Sequence, residues 1–337
     1  MRLRHSLVAS PGIQRIRRGR GFSYRDSNDD PVQDPELLAR IAALVIPPAW
    51  KKVWICPYSN GHIQAVGTDT AGRKQYLYHE QWRQDRDEEK HERVLALAKM
   101  LPVLRSTIDS DLKSSGLNQK RVLAASLRMI DLGIFRTGGE EYTEDNDSYG
   151  AATLLQEHVS VQGNQINFAY PAKGNIWREV SIRDSALAAA TRSLLQSKSS
   201  SDRLFVYRTG STWHELHAAD INARFKEITG EEFSVKDLRT WNATVLAASA
   251  FASQEPAQSK RARASAEAAV MKEVSEALGN TPAVTRKSYV DPRVISAYAE
   301  NLTIRAAHDR ARKAQSEEES RAILEKATIR LINKISK

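Results

Sequence analysis

Five side chains from separate stretches of the chain have the types and the company to handle a phosphate. They are Arg136 in "GIFRTGGEEY", Lys173 in "PAKGN", Arg239 in "VKDLRTW", and Asn280 and Tyr289 in "GNTPAVTRKSYV". Guanidinium stays charged at any working pH and offers two parallel donors, so a pair of arginines can hold the two non-bridging oxygens of one phosphodiester. Any one of these residues means little alone. A tyrosine is usually a packing residue with its hydroxyl tied to a neighbour, and a lysine in "PAKGN" is ordinarily an exposed turn residue. What changes the reading is the set: two arginines, a lysine at a hairpin tip, a short polar side chain at Asn280 and a tyrosine nine residues later. Together they supply a charge clamp, an acid and a nucleophile.

Neither metal nor nucleotide is called for. The single Cys56 can form no internal disulfide and no cysteine-based zinc site, which fits a reducing compartment, and its expected role is packing. "GTDTAGRK", residues 67–74, has the two glycines of a phosphate loop, but Arg73 and Lys74 stand where that motif needs Lys and then Ser or Thr. Continued into "QYLYH", the same stretch puts Arg73, Lys74, Gln75, Tyr76 and Tyr78 on one strand. Cations, an amide and two same-face aromatics suit the phosphates and base edges of a duplex, although a surface strand with solvated charges would read the same way.

The composition of the whole chain agrees with a polyanionic partner. Its 337 residues carry 50 Lys and Arg against 41 Asp and Glu, a net charge of +9. The first 25 residues hold seven arginines and no acid. An organelle transit peptide shares that composition, but "PGIQRIRRGRGFSYRD" runs straight into strand-like residues, so a basic arm on DNA is expected. "IAALVIPPAW" is cut by Pro47-Pro48 and "ATVLAASAFA" is short, so a membrane span is not expected.

The elements that must position these groups fall into two parts. Residues 22–80 read as β-rich: "KVWICPY" and "GHIQAVGTD" flank an Asn60-Gly61 turn signal, "KQYLYH" makes a third strand, and Asp34–Val45 is a helix stopped by the proline pair. The charged run "RQDRDEEKHER", residues 83–93, marks the boundary, giving an N-terminal domain of 1–88 and a mainly helical domain of 89–337. The helical part is interrupted at 159–182 by a three-stranded meander with Lys173 at its second tip. An Ala-rich helical stretch, 243–278, runs to Gly279 as its C-terminal cap, and 303–337 reads as one charged helix. The fold class is therefore α+β.

With these motifs in hand, the chain resembles the type IB DNA topoisomerases of the short bacterial and poxvirus-like branch, from about Pro11 to Tyr298. The likeness rests on "IPPAWKKVWICP", "GTDTAGRKQYLYH", "FRTGGEEY", "SYGAATLL", "AKGN", "VKDLRTW" and "GNTPAVTRKSYV", in that order. It implies a small β-rich N-terminal domain and a larger helical catalytic domain of the kind shared with tyrosine recombinases, closing around duplex DNA as a monomer. It places Arg136, Lys173, Arg239, Asn280 and Tyr289 on the family's catalytic positions, with Tyr289 as nucleophile and Lys173 as the acid for the leaving oxygen. Supercoils would relax through a 3′-phosphotyrosyl intermediate without ATP, cofactor or obligatory metal, and the location would be cytoplasmic, at the nucleoid.

Two departures bear on chemistry. Many relatives have His where this chain has Asn280, and a carboxamide donates a hydrogen bond but cannot titrate near neutrality. Poxvirus enzymes carry lysines after the first arginine, where this chain has Gly139, Glu140 and Glu141, so strong recognition of a short site is not expected. A tyrosine recombinase is the nearest alternative, but those enzymes usually carry His three residues before the second arginine, here Lys236, and usually lack a part like residues 22–80. A non-catalytic duplex-binding protein with a structural tyrosine is the alternative from another class.

Overall fold

Alternating apolar and cationic residues at the start of the chain fold into a sheet. In the computed structural model, which describes residues 2–133, 135–139, 148–256 and 259–336, β1 (Ile13–Arg18) pairs antiparallel with β2 (Gly21–Arg25). The arginine-rich start is therefore a hairpin from residue 13 on, where a basic arm running into strand-like residues was expected. The physical reason is visible in the side chains: Ile13 is buried in the core, and the Arg15 guanidinium lies 4.2 Å from the centre of the Phe22 ring. Arg15 also donates to the carbonyls of Ile46, Pro47 and Trp50, holding the proline turn. A charged residue is thus used as a structural tie.

The sheet continues with β3 (Lys51–Ile55), β4 (Ile63–Thr68) and β5 (Lys74–Tyr78), in the order β2-β1-β3-β4-β5. Helix α1 (Pro35–Ala43) starts where Asp34 accepts from the Glu36 amide and packs Ile41 against Ile13, Val53, Ile55 and Ala65. Cys56 is buried. The chain divides into two compact units, Met1–Lys90 and His91–Lys337. The charged run at 83–93 is part of one 33-residue helix, α2 (Glu80–Leu112), which passes through that boundary. From Val94 on, α2 buries Val94, Leu97, Ala98, Leu101, Leu104 and Ile108, a stripe at helical spacing.

The second unit continues with α3 (Gln119–Gly133) and then the meander β6 (Val159–Gln162), β7 (Gln165–Ala172) and β8 (Ile176–Arg183). Helix α4 (Ser185–Leu195) follows, then a hairpin that the sequence reading missed, β9 (Val206–Thr209) with β10 (Thr212–Glu215). Helices α5 (Ala218–Thr229) and α6 (Val235–Ser253) come next, and α6 is buried along most of its length. The Ala-rich stretch is divided between α6 and α7 (Lys260–Leu278), with Pro256 among the residues separating them. After α8 (Pro282–Ser288) and α9 (Pro292–Ala299), the tail is two helices, α10 (Arg305–Ala311) and α11 (Glu317–Ile335), where one was expected. Buried Asp131 on α3 ties α11 in place by accepting from both Arg105 and Arg321.

Candidate active site

The end of α7 organises the site. Gly279 adopts the left-handed conformation (φ 59°, ψ 49°), which lets the Asn280 amide turn back onto the Ser275 carbonyl at 2.9 Å. This cap aims Asn280. The last carbonyls of a helix have no partner within it, and here two are taken by arginines from elsewhere: Ala277 accepts from Arg178 (2.8 Å) and Leu278 from Arg239. A third guanidinium, Arg136, donates to Asn280 Oδ1. The carboxamide's other end, Nδ2, is shielded from solvent and has no hydrogen-bond partner among the described residues.

Arg136 arrives on an extended segment behind Phe135, which is buried and stacked on Tyr170 with centroids 5.6 Å apart. The carbonyls of Arg136 and Thr137 accept from the amides of Ala151 and Ala152 at 2.8 and 2.7 Å. Two glycines make this approach possible. A Cβ on Gly150 would lie 2.5 Å from the Gly138 Cα, and Gly138 has φ +78°. Glu140 and Glu141, which bear on the expected lack of a short recognition site, lie outside the described residues.

Lys173 sits at the tip joining β7 to β8, where Gly174 (φ 80°) and Asn175 (φ 57°) turn the chain and Ala172 pairs with Ile176. Arg239 is on the second turn of α6, only 3% exposed. Its helix starts at Ser234, whose amide and hydroxyl both bond Asp237, and Arg93 pairs with the same carboxylate at 2.9 Å. Tyr289 closes α8, its amide bonded to the Thr285 carbonyl at 3.0 Å. Thr244 of α6 fixes the next bonds, accepting from the Asp291 amide (3.1 Å) and reaching the Tyr289 carbonyl (3.2 Å). Arg239 and the backbone of Tyr289 are thus held by one helix.

Arg136, Lys173, Arg239 and Tyr289 line a single cavity of about 330 Å³, together with Thr137, Gly138, Ser148, Tyr149 and Lys236. Asn280 does not line it and reaches the site through Arg136. Tyr289 is 7% exposed, and the Arg239 guanidinium carbon lies 5.4 Å from the centre of its ring. Burial raises its pKa, but the nearby charges of Arg136, Arg239 and Lys236 outweigh it, leaving the phenol below its ordinary value of 10.0. Burial, followed by the charge of Arg136, pulls Arg239 down to about 9, so it remains a cation at neutral pH. Lys236 is a cavity residue that the sequence reading used only to separate two families. Its place three residues before Arg239, on the same helix face, is the signal that could have found it.

A larger cavity, about 630 Å³, lies among α2, α3, α6 and α11. Its Arg105, Arg128 and Arg321 are paired with Glu325, Asp184 and Asp131, so it reads as a structural seam.

In the first unit, the residues expected to meet DNA separate into two groups. Lys74, Tyr76 and Tyr78 share the exposed face of β5, the two rings stacked with centroids 6.0 Å apart. Arg73 and Gln75 both donate to Asp69 Oδ2 at 3.0 Å. Amide bonds from Arg73, then the ties to its side chain and to Gln75, hold the Asp69 carboxyl below its usual range.

Comparison with known proteins adds the following. Residues 79–318 match the family described as eukaryotic DNA topoisomerase I, catalytic core, and residues 21–69 match bacterial DNA topoisomerase IB, N-terminal domain. The chain is 31% identical over 298 residues to DNA topoisomerase 1B of Acanthamoeba polyphaga mimivirus, covering 86% of this chain and 88% of the viral one. It is 22% identical over 235 residues to DNA topoisomerase 1B of vaccinia virus (strain Copenhagen), covering 68% and 70%. The XerH site-specific recombinase bound to difH substrate aligns over 59% of this chain and 51% of its own, at 16% identity and a TM-score of 0.38.

Proposed function

The chain belongs to the type IB DNA topoisomerases, and from that premise we propose that it is an isomerase that relaxes supercoiled duplex DNA through a covalent bond to Tyr289. The observation that carries the reading is the convergence of Arg136, Lys173, Arg239 and Tyr289 on one cavity, with the Arg239 guanidinium 5.4 Å from the centre of the Tyr289 ring.

A free tyrosine has a pKa of about 10, so near neutrality its phenolate lies roughly 4 kcal/mol away. The arginines lower that gap before DNA arrives. With the scissile phosphate between them, they also offset the approach of an anionic nucleophile and the added charge of the transition state. Tyr289 Oη, its proton lost to solvent, attacks phosphorus in line. The bond from phosphorus to the 5′ oxygen breaks, and Lys173 Nζ gives that oxygen its proton. Asn280 Nδ2, shielded and without a hydrogen-bond partner among the described residues, donates to a non-bridging oxygen while Arg136 orients its Oδ1. The 3′-phosphotyrosyl bond replaces one phosphodiester with another, so the free 5′ hydroxyl can reverse the step without ATP. Between the two steps the free end rotates.

Lys74, Tyr76 and Tyr78 supply duplex contacts from the first unit, with Arg73 and Gln75 joining if they exchange Asp69 for phosphate. One chain suffices, and the working location is the bacterial cytoplasm at the nucleoid; among the described residues no helix is long and apolar enough to cross a membrane. The domains at work are 1–88 and 89–337. The match of residues 21–69 to a bacterial topoisomerase IB domain, and Lys236 in the cavity, favour relaxation over exchange between defined sites. The test is relaxation of supercoiled plasmid by the purified chain in chelator without ATP. Complete relaxation is expected, and plasmid that stays supercoiled while bound would leave a non-catalytic binder.

A further inference from the structure

Arg178 takes no part in the chemistry above and does not line the cavity. It lies on β8, five residues beyond Lys173, with Tyr170 as its cross-strand partner. Its Nη1 donates to the Tyr170 hydroxyl at 3.1 Å, and its Nη2 donates to two main-chain carbonyls, Gly133 at 2.9 Å and Ala277 at 2.8 Å. The guanidinium carbon is 5.1 Å from the centre of the Phe135 ring.

Those two carbonyls are not arbitrary. Gly133 ends α3, three residues before Arg136, and Ala277 lies in the last turn of α7, three residues before Asn280. Each is among the terminal carbonyls a helix cannot satisfy itself, at the end where the helix dipole favours a cation. A planar guanidinium has fixed donor directions, so bonding both carbonyls sets a distance and an angle between the two helix ends. It does so from the strand whose tip carries Lys173. The Arg178 stem also runs beside the helix cap, where a Cβ added to Gly279 would meet Arg178 Cδ at 3.8 Å.

We propose that Arg178 is a positioning residue: by donating to Gly133 and Ala277 from β8, it sets the spacing of Arg136, Asn280 and Lys173 around the scissile phosphate. It touches neither DNA nor the reacting atoms. The inference rests on the proposed cleavage reaction, so the wild-type chain must form an adduct for the comparison to be read. A wild type without adduct defeats that reading, whereas an adduct with unaffected variants defeats only this one.

The measurement is single-turnover cleavage of a duplex oligonucleotide by Arg178→Met and Arg178→Lys, alongside DNA affinity and melting temperature. Arg178→Met should cleave about 10- to 100-fold more slowly, the scale of a displacement of about 1 Å in a reacting group, with affinity changed less than about twofold. Arg178→Lys, whose ammonium reaches one bond less far than Nη2 and lacks fixed donor directions, should also be slow while melting close to wild type, and it carries the test if Arg178→Met does not fold. Because Arg178 acts through Asn280 and Arg136, the double variant Arg178→Lys with Asn280→Ala should lose less, relative to wild type, than the product of the two single losses. A purely structural role would lower melting temperature without this coupling. Wild-type cleavage by folded Arg178→Lys, or fully multiplicative losses, would overturn the proposal.

Discussion

The cavity around Tyr289 and the exposed face of β5 both gather arginine or lysine with tyrosine, yet their physics differs. Around Tyr289 the ring is 7% exposed, whereas Tyr76 and Tyr78 are 39% and 38% exposed. Arg239 is buried and Arg136 half-buried, so their charges act on the phenol with less screening, and the effect is seen in its lowered pKa. On β5 water and salt screen the same charges. The lesson is that the same residue types should govern rate in one place and affinity in the other.

Arg136→Ala should break that contrast most. It removes the first charge that favours the Tyr289 phenolate and the orienting bond to Asn280, so single-turnover cleavage should fall by at least about 100-fold. It should also move the pH dependence. The reactive phenolate grows with pH, and wild-type cleavage should level off around a pKa below 10. With the cation gone, burial still raises the phenol, so the inflection must move up. An unchanged inflection would show that the rate does not report the tyrosine.

Next in size is Lys173→Ala. It should cleave ordinary DNA at least about 100-fold more slowly, the scale of general-acid catalysis, but recover on a substrate with sulfur in place of the leaving 5′ oxygen, since a thiolate leaves without a proton. Arg136→Ala should not recover, because its charge acts on the phosphate whichever atom departs. Equal rescue of both, or none for the lysine, would show that the proton comes from elsewhere.

Asn280→Ala should cost about 10- to 1000-fold, as for loss of one donor to the phosphate, and Asn280→His should retain much more activity. Equal cleavage by the alanine variant and wild type would make the position structural. The smallest effect belongs to β5. Tyr76→Ala with Tyr78→Ala should weaken duplex binding by about 1–3 kcal/mol, the scale for losing aromatic contacts to bases, while leaving the cleavage rate of bound DNA within about twofold. A large loss of rate at saturating protein would mean that the first unit takes part in the chemistry.

How far these features could be read from sequence depends on the range of the forces that fix them. Gly279 was legible as a helix cap because the left-handed turn is a local demand on one residue, and Asn280 follows from it. The tip carrying Lys173 was legible from the turn at "PAKGN" for the same reason. The hairpin β1–β2 was not, since its arginines look like an arm until Arg15 is seen bonding carbonyls about thirty residues away. The charged run at 83–93 reads as a boundary that a solvated helix face would also fit, but not as part of one 33-residue helix, because composition reports solvation and not the continuity of a helix. Arg178 was hidden most deeply. Its partners are backbone carbonyls 45 and 99 residues distant, and a carbonyl leaves no mark in a sequence.

The central claim is that Tyr289 is the nucleophile, and the most direct test is to trap the protein–DNA adduct and map the modified residue. Incubation with a duplex nicked just beyond the cleavage position should leave the released strand unable to religate, and the adduct should map to Tyr289 through a 3′ phosphate. Tyr289→Phe, which removes only the phenolic oxygen, should bind duplex as before and give neither adduct nor relaxation. An adduct in that variant, or one mapped to another residue, would contradict the account.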